Sequence, residues 1–187
     1  MSIARVDRAA RVRRALVELV AEHGLHGAGM NAVARRAGVA TGTAYVHYQS
    51  KEELLLEAYR EVKRDLSQAS VSATGLPGAP ASRFAAIWKA LYLHLAEDAA
   101  KARFLVQLEV SPLVKQAHSS AGDGDEDPLL TAAASTDIAP LLADLPLEVL
   151  FDLGFGPAIR LAAGGSRPSE KALDRIAAAC WRAITRP

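Results

Sequence analysis

The sequence predicts an all-α fold of about nine helices: an N-terminal three-helix helix-turn-helix domain, then a C-terminal helical bundle. Three observations predict it. Apolar residues recur at spacings of three and four along most of the chain. No segment shows convincing alternation with period two. Alanine is abundant, aromatics are only 5%, and β-branched runs are few. The 187 residues are 50% hydrophobic and 23% charged. That is globular rather than disordered, and enough for one large domain or two small ones.

The elements follow in order. From Arg5 to His23, the residues Val6, Ala10, Leu16, Leu19 and Val20 recur at helical spacing, and Gly24 is a stop signal. A short helix fits Met30 to Ala37, closed by Gly38. Thr41 is placed to cap another, running to about Tyr48. Ser50-Lys51-Glu52-Glu53 reads as a capping box, in which the Ser50 hydroxyl takes the Glu53 N–H and the Glu53 side chain reaches back. It starts a helix to about Ser70. Residues 71–81, VSATGLPGAPA, break the pattern. Phe84, Ile87, Trp88, Leu91, Tyr92 and Leu95 then form one wide apolar stripe. Another helix covers about Ala99 to Val110 and stops at Ser111-Pro112. Residues 115–128 read as an exposed loop, and three more helices are expected at about 128–144, 146–164 and 169–185. Gly156-Pro157 is expected to kink the second of these. The expected domains are 1–50, a connecting helix 51–70, and 71–187.

The formal net charge is only +1, yet the charge is unevenly spread. Residues 1–51 hold eight Lys/Arg against three Asp/Glu, or +5, whereas residues 65–187 hold eleven against fourteen, or −3. A basic end suggests an anionic partner there, although a solvated basic face would give the same count. Cys180 is the single cysteine, which excludes an intrachain disulfide and a cysteine-only metal site. It lies in an apolar stripe beside Trp181 and reads as buried packing. The opening MSIARVDRAARVRR has no signal-length apolar run, and no stretch approaches ~18 apolar residues, so a cytoplasmic protein without a membrane partner is expected.

Enzyme and metal readings fail on the residues. Asp123, Asp125 and Asp127 alternate like calcium ligands, but Pro128 stands where the loop needs Gly and Ala134 where it needs Glu. His23 and His26 lack further ligands nearby. Ser111 and Ser166 lack a nucleophile elbow, and no Gly-rich phosphate loop occurs. No cofactor, metal or catalytic residue is expected.

Residues 30–48 carry the functional signal. Two short helices joined by a tight turn at Gly38 make a helix-turn-helix, whose second helix enters the major groove with its N-terminal side chains at base edges. Those would be Thr41, Gly42, Thr43 and Ala44, with Gly42 and Ala44 keeping the surface low. Tyr45 and His47 offer hydrogen bonds to phosphates. Lys51, a cation in the first turn of a helix, opposes the macrodipole and makes better sense if an anion docks there. Arg35 and Arg36 add phosphate-reaching charge.

The stretch GAGMNAVARRAGVATGTAYVHYQSKEELLLEAY, residues 27–59, resembles the N-terminal DNA-binding domain of TetR-family transcriptional regulators. The resemblance rests on Ala34, Ala37-Gly38-Val39, Gly42-Thr43, Tyr45, His47, Tyr48 and Ser50-Lys51-Glu52-Glu53-Leu54. It implies a homodimer on a palindromic double-stranded DNA operator. It also implies a divergent C-terminal domain whose small-molecule effector releases DNA. Thr43, Tyr45, His47 and Lys51 match DNA-contacting positions of the family. Ala28 and Gly29 depart from the Thr common at the start of the second helix. Ala44 replaces a larger aliphatic residue, which implies looser packing of the recognition helix.

In the C-terminal part, Arg103-Phe104, Gln107 and Ser111-Pro112 look like a pattern of some relatives. An apolar effector pocket would draw on Trp88, Tyr92, Phe104, Gln107, Leu108, Phe151 and Phe155, each of which also reads as plain core. The last two helices carry small and apolar residues suited to a four-helix dimer interface: Leu153, Pro157, Leu161, Ile176, Ala179, Cys180 and Ala183. The same surface would also serve for packing within one subunit. The expected function is a repressor released by a small, largely apolar ligand. The alternatives are a regulator without a small-molecule effector, or an activator.

Overall fold

The computed structural model describes residues 3–74, 78–109, 111 and 138–186. Among the described residues run nine α-helices: α1 Ile3–Gly27, α2 Met30–Ala37, α3 Thr41–His47, α4 Lys51–Thr74, α5 Pro80–Glu97, α6 Ala99–Glu109, α7 Leu147–Gly154, α8 Gly156–Ala163 and α9 Glu170–Ile184. A 3-10 turn, Ala139–Leu141, precedes α7. Extended pairing among the described residues is a single bridge between Leu142 and Thr185. The all-α class read from the sequence is the observed one.

The chain divides into two compact units. One holds the described residues up to Val62 together with those from Arg103 to Ser111. The other holds Lys63–Ala102 and the described residues from Ile138 onward.

In the first unit, α1 buries Val12, Leu16, Leu19 and Val20. Gly24 breaks it as expected, with φ 72 and ψ 176, although helical turns resume through Gly27. The positive φ is open to glycine and strained for residues with a Cβ. α2 has the predicted bounds and buries Met30, Val33, Ala34 and Ala37. Gly38 ends it in the left-handed conformation, φ 65 and ψ 39, and its N–H returns to the Ala34 and Arg35 carbonyls. α3 starts where expected, but Ala40 is its N-cap and offers no side-chain bond. Thr41 is the first helical residue rather than the cap.

The capping box of α4 forms. Ser50 Oγ accepts the Glu53 N–H at 3.0 Å, and Glu53 Oε2 accepts the Gln49 N–H at 2.6 Å. The carboxylate thus reaches one residue further back than the motif requires. α4 continues to Thr74, beyond the expected end near Ser70.

In the second unit, all six stripe residues of α5 are buried. Their polar tips are satisfied: Trp88 Nε1 donates to the Gly154 carbonyl at 3.0 Å, and Tyr92 OH to the Ser166 carbonyl at 2.6 Å. The helix expected over 146–164 is two helices, α7 and α8, divided at Phe155. Pro157 in the first turn of α8 explains the division, because it has no N–H to continue the ladder. Ser169 caps α9 by accepting the Ala172 N–H. Of the helix expected at 128–144, only the part from Ile138 is described, and it is the 3-10 turn rather than an α-helix. The loop 115–128, its aspartates Asp123, Asp125 and Asp127, and Pro112 lie outside the described residues.

α9 carries two apolar stripes offset by one residue. Leu173, Ala177, Cys180 and Ile184 face inward and are buried. Ala172 and Ile176 are half-buried, and Ala179 and Ala183 are exposed. Cys180 therefore belongs to its own subunit's core, which agrees with its reading as buried packing and corrects its place among the outward interface residues. Burial pushes its thiol up from the ordinary value.

Candidate nucleic-acid interface

The helix-turn-helix is built from α2 and α3, and α1 packs against both. The inward side of α3 is small. Ala44 is wholly buried and Tyr48, just past the helix, is 5% exposed. Ala44 is therefore not a DNA-contacting surface residue, contrary to the sequence expectation. At 3.6 residues per turn it shares a face with Tyr48, and that face is committed to the protein.

Tyr48 anchors the motif. Arg13 Nη1 donates to its hydroxyl at 2.5 Å, and the hydroxyl donates to the Ala9 carbonyl at 3.4 Å. Arg13 Nε also bonds the Glu61 carboxylate of α4. Burial holds the Tyr48 phenol above its ordinary pKa even though the Arg13 guanidinium works against it. Arg11 closes the end of α2, donating through Nη2 to the Ala37 carbonyl at 2.5 Å and the Gly38 carbonyl at 3.1 Å. A cation at a helix C-terminus also suits the macrodipole.

The outward side of α3 is where DNA would meet it. Gly42, Tyr45 and Val46 are exposed, and Thr41, Thr43 and His47 are half-buried. Tyr45 is 50% and Val46 69% exposed. Sequence reasoning misses Val46, because an apolar residue inside a short helix reads as core. The helical wheel holds the signal: with Ala44 and Tyr48 inside, position 46 must point out.

Several cations have other engagements. Arg36 forms a fork on Glu22, Nη2 to Oε2 at 2.6 Å and Nη1 to Oε1 at 3.0 Å, and also reaches Glu18 at 3.4 Å. Its charge ties α2 to α1 rather than reaching for phosphate. Hydrogen bonding from Arg36 holds the Glu22 carboxyl below its ordinary value. Lys51 is half-buried and its ammonium donates to the Leu25 carbonyl, so that carbonyl offsets the unfavourable helix start. Arg35 is exposed, and it shares the rim of an open groove beside α2 with His23 and Arg36.

The expected pocket residues are divided between the two units. Phe104 and Leu108 are buried in the first unit, and Gln107 there is exposed, with its Oε1 3.9 Å from a Cβ placed on Gly24. Trp88, Tyr92, Phe151 and Phe155 belong to the second unit. Trp88 stacks on Tyr92 at 6.1 Å between centroids, and Phe155 lies 5.7 Å from Phe151 and 5.2 Å from Phe84. Phe84 and Trp181, 5.4 Å apart, complete an aromatic cluster within the second unit.

A family model for bacterial regulatory proteins of the tetR family matches residues 12–58. A model for a tetracyclin repressor-like C-terminal domain matches residues 80–185, more than half of the chain. The chain belongs to the TetR family. It is thus a transcriptional regulator with a helix-turn-helix DNA-binding domain, and not an enzyme. An HTH-type transcriptional regulator of Haemophilus influenzae is 28% identical over 191 residues, covering 98% of this chain and 99% of that one. The crystal structure of a TetR-family regulator from Haemophilus influenzae superposes with a TM-score of 0.79 at 25% identity, covering 99% and 100% of the two chains. A TetR-family regulator from Marinobacter aquaeolei has the same fold, with TM-score 0.79 at 20% identity and full coverage of both chains. A fatty acid metabolism regulator protein of Bacillus subtilis is 40% identical over 47 residues, which is 25% of this chain and 24% of that protein. Among the described residues, no helix of this TetR-family chain is long and apolar enough to cross a membrane.

Proposed function

We propose that this TetR-family regulator acts in the cytoplasm as a homodimeric repressor on a palindromic operator, and that a small, largely apolar ligand releases it. In this reading residues 1–50 read DNA, 51–70 connect, and 71–187 sense and dimerise. The observation that carries the DNA half is the outward face of α3. Exposed Gly42 and Val46 stand opposite the buried Ala44, flanked by exposed Tyr45 and half-buried Thr43, with half-buried His47 at the end of the helix. Exposed Arg35 supplies backbone charge. Two symmetric recognition helices then ask for two half-sites about one helical turn apart.

The dimer half is supported by apolar residues left open on the second unit. Leu153 is 41% exposed, Pro157, Leu161 and Ile176 are half-buried, and Ala179 and Ala183 are exposed. Small side chains let helices approach closely in a four-helix interface. The test is DNA binding as a function of salt. Arg35→Ala should lower the log–log salt slope by about 1 for each phosphate that Arg35 neutralises, and Tyr45→Ala should weaken binding at every salt. Unchanged affinity and slope in the double variant would remove α2–α3 from DNA.

A second reading, a regulator without a small-molecule effector, has its own support. The Trp88 and Tyr92 tips are both taken by backbone carbonyls, as suits core residues. A thermal-shift screen of apolar metabolites separates the two readings, because a ligand at 100 times its Kd adds about 2.7 kcal/mol.

A further inference from the structure

α3 has one crest. At about 100° per residue, Gly42 and Val46 lie about 160° and 200° around the axis from the wholly buried Ala44, with Tyr45 on one flank and Thr43 on the other. The two crest positions are one turn apart and so stand one above the other. Neither serves the protein. A Cβ on Gly42 would meet nothing within 4 Å, so the fold does not require glycine there. Alanine would favour the helix. Val46 is 69% exposed, whereas Leu93 is 53% and Tyr45 50% exposed. A β-branched residue is also a weaker helix former than many polar alternatives. An apolar side chain at the crest and a bare turn before it are both explained by what approaches from outside.

Base edges in the major groove offer one apolar group, the 5-methyl of thymine, which aliphatic side chains contact. We propose that Val46 is a specificity-determining residue that covers a thymine 5-methyl group, and that Gly42 supplies the clearance that lets α3 sit deep enough to do so. The assignment rests on the reading of α3 as the recognition helix. It gives the regulator a preference for thymine that is read through an apolar contact rather than a hydrogen bond.

The experiment uses the full-length protein. A double-stranded operator is selected from random DNA, and each thymine is then replaced singly by deoxyuridine, which removes the methyl and keeps the hydrogen-bonding edge. Wild-type affinity, read by fluorescence anisotropy, should fall about fourfold at one thymine of each half-site, as expected for one apolar group losing its cover. Val46→Ala should bind the thymine operator more weakly and show no further loss on that uridine. Gly42→Ala should melt at a higher temperature yet bind every operator variant more weakly. Uridine losses that are the same in Val46→Ala as in wild type, or no uridine effect anywhere, overturn the role of Val46. Unchanged affinity in Gly42→Ala overturns the clearance. A selection that enriches no sequence overturns the recognition role of α3 itself, and this assignment with it.

Discussion

Arg11 and Gly38 are fitted to one another. Arg11 Nη2 donates to the Gly38 carbonyl at 3.1 Å and stands 3.0 Å from the place a Cβ on Gly38 would occupy. Gly38 has φ 65, so the same glycine provides both the left-handed turn into α3 and the room for the guanidinium that closes α2.

Replacing Gly38 by Ala should therefore cost more than the backbone conformation alone. The left-handed penalty is about 1 kcal/mol, and displacing Arg11 loses about 1 kcal/mol more in hydrogen bonding. Urea unfolding should give a total of about 2 kcal/mol, falling to about 1 kcal/mol when Arg11 is already alanine. Equal costs in both backgrounds would show that the two residues do not interact.

The Arg36–Glu22 fork predicts a pH dependence. Arg36 lowers the Glu22 carboxyl below 4.5, its ordinary value. A depressed folded-state pKa contributes stability that is present above the unfolded value and is lost as pH falls through the folded one. Stability measured from about pH 6 down to about pH 3 should therefore decline less steeply below about pH 4.5 in Glu22→Gln than in wild type. Parallel profiles would mean that the pair does not bind protons differently on folding.

Trp88 is fully buried, and its indole N–H is given to the Gly154 carbonyl. Trp88→Phe keeps an aromatic ring but leaves that carbonyl without its donor. The expected loss is about 1–3 kcal/mol by thermal or chemical unfolding. A loss near zero would indicate that another donor takes the carbonyl.

The offset stripes of α9 give a paired prediction about assembly. Ile176 lies on the outer stripe and Ala177, wholly buried, on the inner one. Under the dimer proposal, Ile176→Asp should sediment as a folded monomer. Ala177→Asp should lose its fold, because a carboxylate would be buried without a partner. A dimer that survives Ile176→Asp would move the interface elsewhere.

Much of the fold is legible in the sequence because the deciding forces are local. The bounds of α2 follow from Gly38, which accepts the left-handed turn, and from apolar residues at Met30, Val33, Ala34 and Ala37. The start of α4 follows from Ser50 and Glu53, three residues apart, each satisfying backbone N–H groups. The six residues of the α5 stripe are all buried because one wide apolar face leaves a single orientation. The break at Phe155 follows from Pro157 two residues on.

The candidate interface is legible in type and less so residue by residue. Thr41, Gly42, Thr43, Tyr45 and His47 lie on open or half-open sides of α3, whereas Ala44 lies inside and Val46 stands out unannounced. Low relief suggests DNA approach equally at Gly42 and Ala44. Only packing distinguishes a small residue under another helix from a small residue facing outward.

The breaks at Gly24 and Gly38, the capping box at Ser50, the division at Pro157 and the basic N-terminal end are dictated by the chain alone, because these depend on neighbours within about one turn. Tertiary packing settles which cation answers to which acceptor. Arg36 is held by Glu22, Lys51 by the Leu25 carbonyl, and Arg13 by Tyr48 and Glu61, partners between 14 and 48 residues away in sequence. It also turns Cys180 inward and leaves Ala179 facing out. Two adjacent apolar stripes are equally good helices, and only the elements packed against them select the one to bury.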